Sequence, residues 1–199
     1  MGKADGKSKP ALGFLTVTDH AQYGLVGGYL VLNMAGRPLE FHCTAPIRPN
    51  RAQQILYGPT LLPYLYGEQI GQTLLSKATT APLVVCTDQE PALAVREFIT
   101  IPVVLVLPGE AAGTADTQNE GSQATAPAGP TVWRVDAAHP DAARWTALRL
   151  GRNRLAVPPG EENRRLVAER LEAVADSLDL AEPFSRIREA IEEARRGGQ

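Results

Sequence analysis

Two almost uninterrupted apolar runs constrain this chain more than any other feature: APLVVCTD, which ends at Asp88, and ITIPVVLVLP, which ends at Pro108. A strand that is apolar on both faces has to be covered on both, the situation of a central strand in a layered α/β sheet. The QEPALAVREF between them has helical spacing. Strand, helix, strand then reads as a right-handed crossover between parallel neighbours.

The preceding residues show the other β pattern. GFLTVTD, from Gly13 to Asp19, and GGYLVLN, from Gly27 to Asn33, are β-branched runs that end in turn residues. In PLEFHCTAPI, Leu39, Phe41 and Cys43 alternate with Glu40, His42 and Thr44, giving one apolar and one polar face. Three successive antiparallel strands are expected. The period then changes to helical in NRAQQILYG, with Asn50 as N-cap, and Gly58 and Pro59 interrupt it. A second helical stretch runs from about Thr60 to Lys77, with Pro63 in its first turn. Gly67 and Gly71, one turn apart, are expected to let that helix lie close on the sheet.

The fold class expected is α/β, a mixed sheet in the order β-β-β-α-β-α-β with C-terminal short strands and helices. The division expected is a disordered N-terminus over 1–11, a core over 12–108, a linker or loop over 109–130, and a C-terminal β-hairpin and helical segment over 131–199. The linker region holds Gly, Ala, Ser, Thr, Gln, Pro and acids, with no aromatic, Leu or Ile to bury. In the last segment WTALRLGRNRLAVP reads as a hairpin turning at Gly151 to Asn153. EENRRLVAERLEAVADSL and PFSRIREAIEEARRG read as amphipathic helices, the latter with Phe184, Ile187 and Ile191 on one face as a docking element for its own domain or a protein partner.

The strand and helix order resembles the ribonuclease H-like fold from about Gly13 to Leu107. That fold places one metal-binding acid at the end of the first strand and another at the end of the fourth; Asp19 and Asp88 stand there in TVTD and VVCTD. The GGY of the second strand and the NR before the first helix are also similar. The resemblance implies carboxylates that hold two divalent ions, Mg²⁺ above all, to activate water against a phosphodiester. It also calls for a Glu just after the NR, where this chain has Gln53 and Gln54, and a neutral amide supplies no charge. Gln54 with Asp19 and Asp88 is therefore the candidate catalytic set, and Asp19 with Asp88 the candidate metal pair. Gly58 and Pro59 cut a helix that is continuous in the family, and Glu161 and Glu162 lie beyond the linker. The bland reading of both Asp residues is turn and helix capping.

A second candidate surface gathers Arg48, Asn50, Arg51 and Tyr57, with His42 on the polar face of its strand beside Glu40. There Arg would fix phosphate or carboxylate and Tyr would give flat contact area. The alternative is that the Tyr residues cover the sheet. His42 cannot reach Cys43, because strand neighbours point to opposite faces. Cys43 and Cys86 are both expected as buried, reduced thiols, and zinc-ligand spacing is absent. Eight arginines against five acids from Arg134 to Arg170, near Trp133 and Trp145, form a mildly basic strip. Such a strip either holds nucleic acid or is a solvated surface anchored by its tryptophans.

A net charge of -2 gives no global pull toward nucleic acid or anionic membrane. The N-terminus lacks the apolar core of a signal peptide, Gly6 stands where a myristoylation motif wants Ser or Thr, and no run suits a membrane helix, so a cytoplasmic location is expected. The leading functional expectation is a non-catalytic or degenerate ribonuclease H-like module that binds a partner or ligand through the face near Asp19, Arg51 and Asp88. One alternative is a divalent-metal-dependent nuclease acting on nucleic acid, with an acid from Glu68 or Glu90. The other is a structural subunit of a larger assembly.

Overall fold

The computed structural model describes residues 10–108, 132–134 and 144–197. The β-branched N-terminal runs form a meander of β1 (Ala11–His20), β2 (Gly24–Asn33) and β3 (Pro38–Cys43). The two apolar runs become β4 (Val85–Thr87) and β5 (Val103–Leu107), which pair in parallel, β4 also lying parallel to β1. After these come β6 (Val132–Arg134), β7 (Arg144–Leu150) and β8 (Asn153–Val157). The eight strands make one sheet in the order β3-β2-β1-β4-β5-β8-β7-β6. An antiparallel meander whose first strand continues into parallel fourth and fifth strands is the ribonuclease H-like topology.

Alternation along β1 divides the sheet's two cores. Leu12 and Phe14 face one layer with Cys86 and Val104, covered by α3 (Glu161–Leu171) and α4 (Glu182–Arg196) through Val167, Phe184, Ile187 and Ile191. Phe14 and Phe184 meet edge to face at 5.8 Å, a geometry worth about 1 kcal/mol beyond the area it buries. Leu15 and Val17 face the other layer with Tyr29 and Val85. The helical run 58–77, here α2, covers that side with the 3-10 helix Glu90–Glu97. The first helix, α1 (Arg51–Tyr57), buries no residue.

Several expectations change. The segment beyond the linker adds strands to the same sheet, β8 pairing antiparallel with β5, and its helices share a core with Leu12 and Phe14. Of the expected N-terminal stretch 1–11, residues 1–9 lie outside the described residues, and Ala11 is fully buried within β1. The linker over 109–130 lies outside the described residues. QEPALAVREF forms a 3-10 helix, and the middle of α2, Tyr64–Gln72, is π-helical. Gly67 and Gly71 serve a helix-on-helix approach: a Cβ on Gly67 would lie 2.7 Å from that of Ala94, and one on Gly71 2.9 Å from Val95. Cys86 is buried but Cys43 is exposed, because β3 is the sheet's edge. The apolar face of the last helix is spent on its own sheet, with Phe184, Ile187 and Ile191 all buried. No helix among the described residues is long and apolar enough to cross a membrane.

Candidate functional site at the ends of β1 and β4

The parallel register sets this site. Gly13, Phe14 and Leu15 lie opposite Val85, Cys86 and Thr87, so the next residue pair is Thr16 with Asp88. The Thr16 hydroxyl donates to Asp88 Oδ1 at 2.8 Å. The other carboxylate oxygen, Oδ2, receives Arg188 from α4 in a short ion pair. Asp88 thus faces the α4 layer, on the side of Phe14 and Cys86. One residue on, Gln89 extends the ladder with its side chain: Oε1 accepts from Val17 N–H at 2.6 Å and Nε2 donates to the Val17 carbonyl at 2.7 Å. The amide thus ties β1 to the β4 exit where backbone pairing has stopped.

Asp19 lies three residues beyond Thr16, about 10 Å along an extended strand, and its odd position puts it on the face of Leu15 and Val17. The hydroxyl of Tyr66, from α2 on that same face, is raised by burial and then by the Asp19 charge. Alternation therefore directs Asp19 and Asp88 to opposite faces, and the residue across from Asp88 is a threonine. Among the described residues no three His, Cys, Asp or Glu side chains are grouped to hold a metal ion. The donors around Asp88 do not fit a pair of divalent ions either: one oxygen takes a hydroxyl, the other a guanidinium, and a nearby cation repels a metal.

The rim of this end is built from α4. His20 Nε2 lies 2.6 Å from Glu192 Oε1, and the guanidinium of Arg195 stacks over the Tyr23 ring at 3.4 Å. The hydrogen bond from His20, then the charges of His20 and Arg195, holds the Glu192 carboxyl below its ordinary range. Arg188, Glu192 and Arg195 recur at helical spacing along one side of α4, which fastens the helix across the strand ends.

The second candidate surface resolves into local structure. Asn50 caps α1 by accepting from the Gln53 N–H at 2.8 Å, and Gln53 returns the bond by accepting from the Asn50 N–H at 3.0 Å. Gln53 is thus a capping-box partner. Gln54 reaches the Pro49 carbonyl and accepts from Arg51, both at 3.5 Å, so neither Gln54 nor Arg51 is directed at Asp88. The aliphatic stem of Arg48 packs at Gly24, and Tyr57 stacks on Tyr64 with ring centroids 4.0 Å apart. His42 lies 3.1 Å from Glu40, whose two oxygens also accept from Thr79 and Thr80. Those bonds, from Thr79 first and then Thr80, drive the Glu40 carboxyl far below its ordinary range. Trp145 is buried and cannot stack on a base, and the side chain of Trp133 is outside the described residues.

Sequence reasoning missed Thr16, Gln89 and Arg188. Thr16 carried a usable signal: in TVTD only the even positions share the parity of Phe14. Arg188 carried none, since nothing local pairs residue 188 with residue 88.

No family model and no curated protein matches this chain. Among solved structures it is similar to the catalytic domain of human Endonuclease V, at 14% identity and a TM-score of 0.49 over 94% of this chain and 85% of that one. It is similar to Endonuclease V of Ciona intestinalis in complex with inosine-containing DNA, at 11% identity and 0.47 over 94% and 87%. It is also similar to the Marinitoga piezophila Argonaute in complex with a guide RNA, at 11% and 0.34 over 83% and 26%. These likenesses concern fold alone, and the strand order above is what establishes it.

Proposed function

We propose that this chain is a non-catalytic, ribonuclease H-like module that binds a partner or ligand. The observation that carries this reading is the closure of Asp88 by Thr16 and Arg188. A two-ion phosphodiesterase needs converging carboxylates, and here one strand-end acid meets a hydroxyl and a cation instead. The test is incubation of the full chain with RNA, DNA and hybrid duplexes in Mg²⁺ and in Mn²⁺. No cleavage above buffer is expected; cleavage that disappears in Asp88→Asn would end this reading.

One observation favours a second reading, a divalent-metal-dependent nuclease. Asp88 stands at the carboxyl end of a central parallel strand, the edge of an open α/β sheet where ligands bind, and the Arg188 side chain is 42% exposed, so it has room to leave. Under this reading Arg188→Ala opens the site, and Mn²⁺-dependent cleavage should appear in that variant and vanish on adding Asp88→Asn. Silence in both variants supports the non-catalytic module.

A further inference from the structure

We propose that β3 is a self-association edge, on which a second copy of this chain pairs β3 to β3 in an antiparallel ladder centred on Phe41. This goes beyond the reading above and holds whether or not the strand-end site acts on a substrate.

The edge is open and apolar. β3 is the first strand of the sheet order, and among the described residues it pairs with β2 alone. Its burial alternates, with Leu39 at 47% and Phe41 at 37% exposure and Cys43 exposed beside them, while Glu40 and His42 are half-buried. α4 covers β1 and β2 and stops short of this rim: Ile187 and Ile191 seat on Gly28, the β2 residue opposite Cys43. The usual protections of an edge strand are thin, with no lysine on β3, a proline only at its first residue, and one bulge at Leu39.

Hydrogen-bond parity fixes which residues face outward. Thr44 N–H donates to the Gly27 carbonyl at 3.0 Å, so positions 44, 42 and 40 turn their backbone groups toward β2. Those of Phe41 and Cys43 turn away. A two-fold ladder centred on Phe41 joins these free groups, with Phe41 bonded to the partner's Phe41 and Cys43 opposite the partner's Leu39.

Charge selects this register over its neighbours. Centred on Phe41, Glu40 lies opposite the partner's His42, twice over, and the apolar residues meet only apolar ones. Centring on Glu40 would oppose two carboxylates, which is unfavourable between directly opposed residues, and centring on His42 puts Glu40 opposite the partner's Thr44, so the Glu40–His42 pairs are lost. Centring on Leu39 or Cys43 shortens the ladder to the strand's ends. Only the Phe41 register is self-complementary over the strand, and that argues for a second copy over an unrelated strand.

The test is light scattering on full-length protein across micromolar concentrations, with two variants. The expected mass is that of two chains, falling by half in Phe41→Lys. It should stay at two chains in Leu56→Lys, which charges an equally apolar residue on α1, 82% exposed. Phe41 is exposed, so the variant keeps its fold, checked by circular dichroism. For the register, Phe41→Cys in a Cys43→Ser background should give a disulfide-linked dimer on mild oxidation. The unmodified chain should not, since its Cys43 faces the partner's Leu39. A monomer throughout, a dimer indifferent to Phe41→Lys, or a dimer broken by Leu56→Lys would overturn the proposal. A dimer that crosslinks through unmodified Cys43 and not through residue 41 would overturn the register.

Discussion

The seating of α4 on β2 decides whether the strand-end site is closed, and Gly28→Ala tests it. A Cβ at Gly28 would lie 2.3 Å from Ile187 Cγ2 and 2.9 Å from Ile191 Cδ1, where carbon atoms in contact rest about 3.5–4.0 Å apart. The helix must lift by more than about 1 Å or the isoleucines must leave their rotamers, which costs about 2 kcal/mol in a packed core. Ile187→Ala alone removes a fully buried side chain and costs roughly 2–5 kcal/mol. In the double variant the new methyl fills the space that Ile187 left. The two losses should therefore fall short of additivity by about 1–2 kcal/mol, as contacting residues do. Urea unfolding followed by circular dichroism measures all four corners of this cycle, and Gly28→Ala alone should lower Tm by about 4–8 °C. Additivity within ~0.5 kcal/mol would show that Ile187 does not sit on Gly28, and the placement of Arg188 one residue on would fall with it.

Three further outcomes follow from other contacts. Glu40 is held ionised by Thr79, Thr80 and His42, below its ordinary value of 4.5; a carboxyl depressed on folding contributes stability in full above the unfolded value and loses it as pH falls through the folded one. Glu40→Gln should therefore cost most at pH 7 and progressively less below about pH 4.5, read as urea midpoints against pH, and a pH-independent difference would refute the assignment. Burial pushes the Cys86 thiol up to about 12 while Cys43 is exposed, so Ellman's reagent should titrate one thiol in the native chain and two in urea; two fast thiols would refute it. Asn153, at the start of β8, donates to the carbonyls of Ala175 and Leu178 and accepts from Leu180 N–H. Asn153→Ala strands three groups and should cost roughly 2–4 kcal/mol in urea unfolding, against no change if water replaces the amide.

Legibility in the sequence followed the range of the interaction that decides each feature. The strands were readable because alternation and double-sided burial are written residue by residue, and the Asn50 cap because it is settled within four positions. The pairing of Asp88 was not, since its partners come from residues 16 and 188. Reading Asp19 and Asp88 as neighbours took strand ends as equivalent and passed over parity, which turns them to opposite faces. Cys43 has the same local pattern as a buried strand residue, and only its place at the sheet edge exposes it. Gln53 stands where the resemblance calls for an acid, yet Asn50 three residues before it specifies a capping partner there. The 3-10 form of Glu90–Glu97, the π-helical Tyr64–Gln72 and their close approach at Gly67 and Gly71 are not encoded in helical spacing.

The pairing of β8 with β5, and of α4 with β1, also sets an order of events during synthesis. When residues 10–108 have left the ribosome, none of them supplies the cover over Leu12 and Phe14 that arrives with Phe184, Ile187 and Ile191. Contacts of such long sequence separation form slowly, so the nascent chain carries a bare apolar sheet face until α4 emerges. A fragment cut at 108 keeps that face for good and should be found with chaperones or in aggregates.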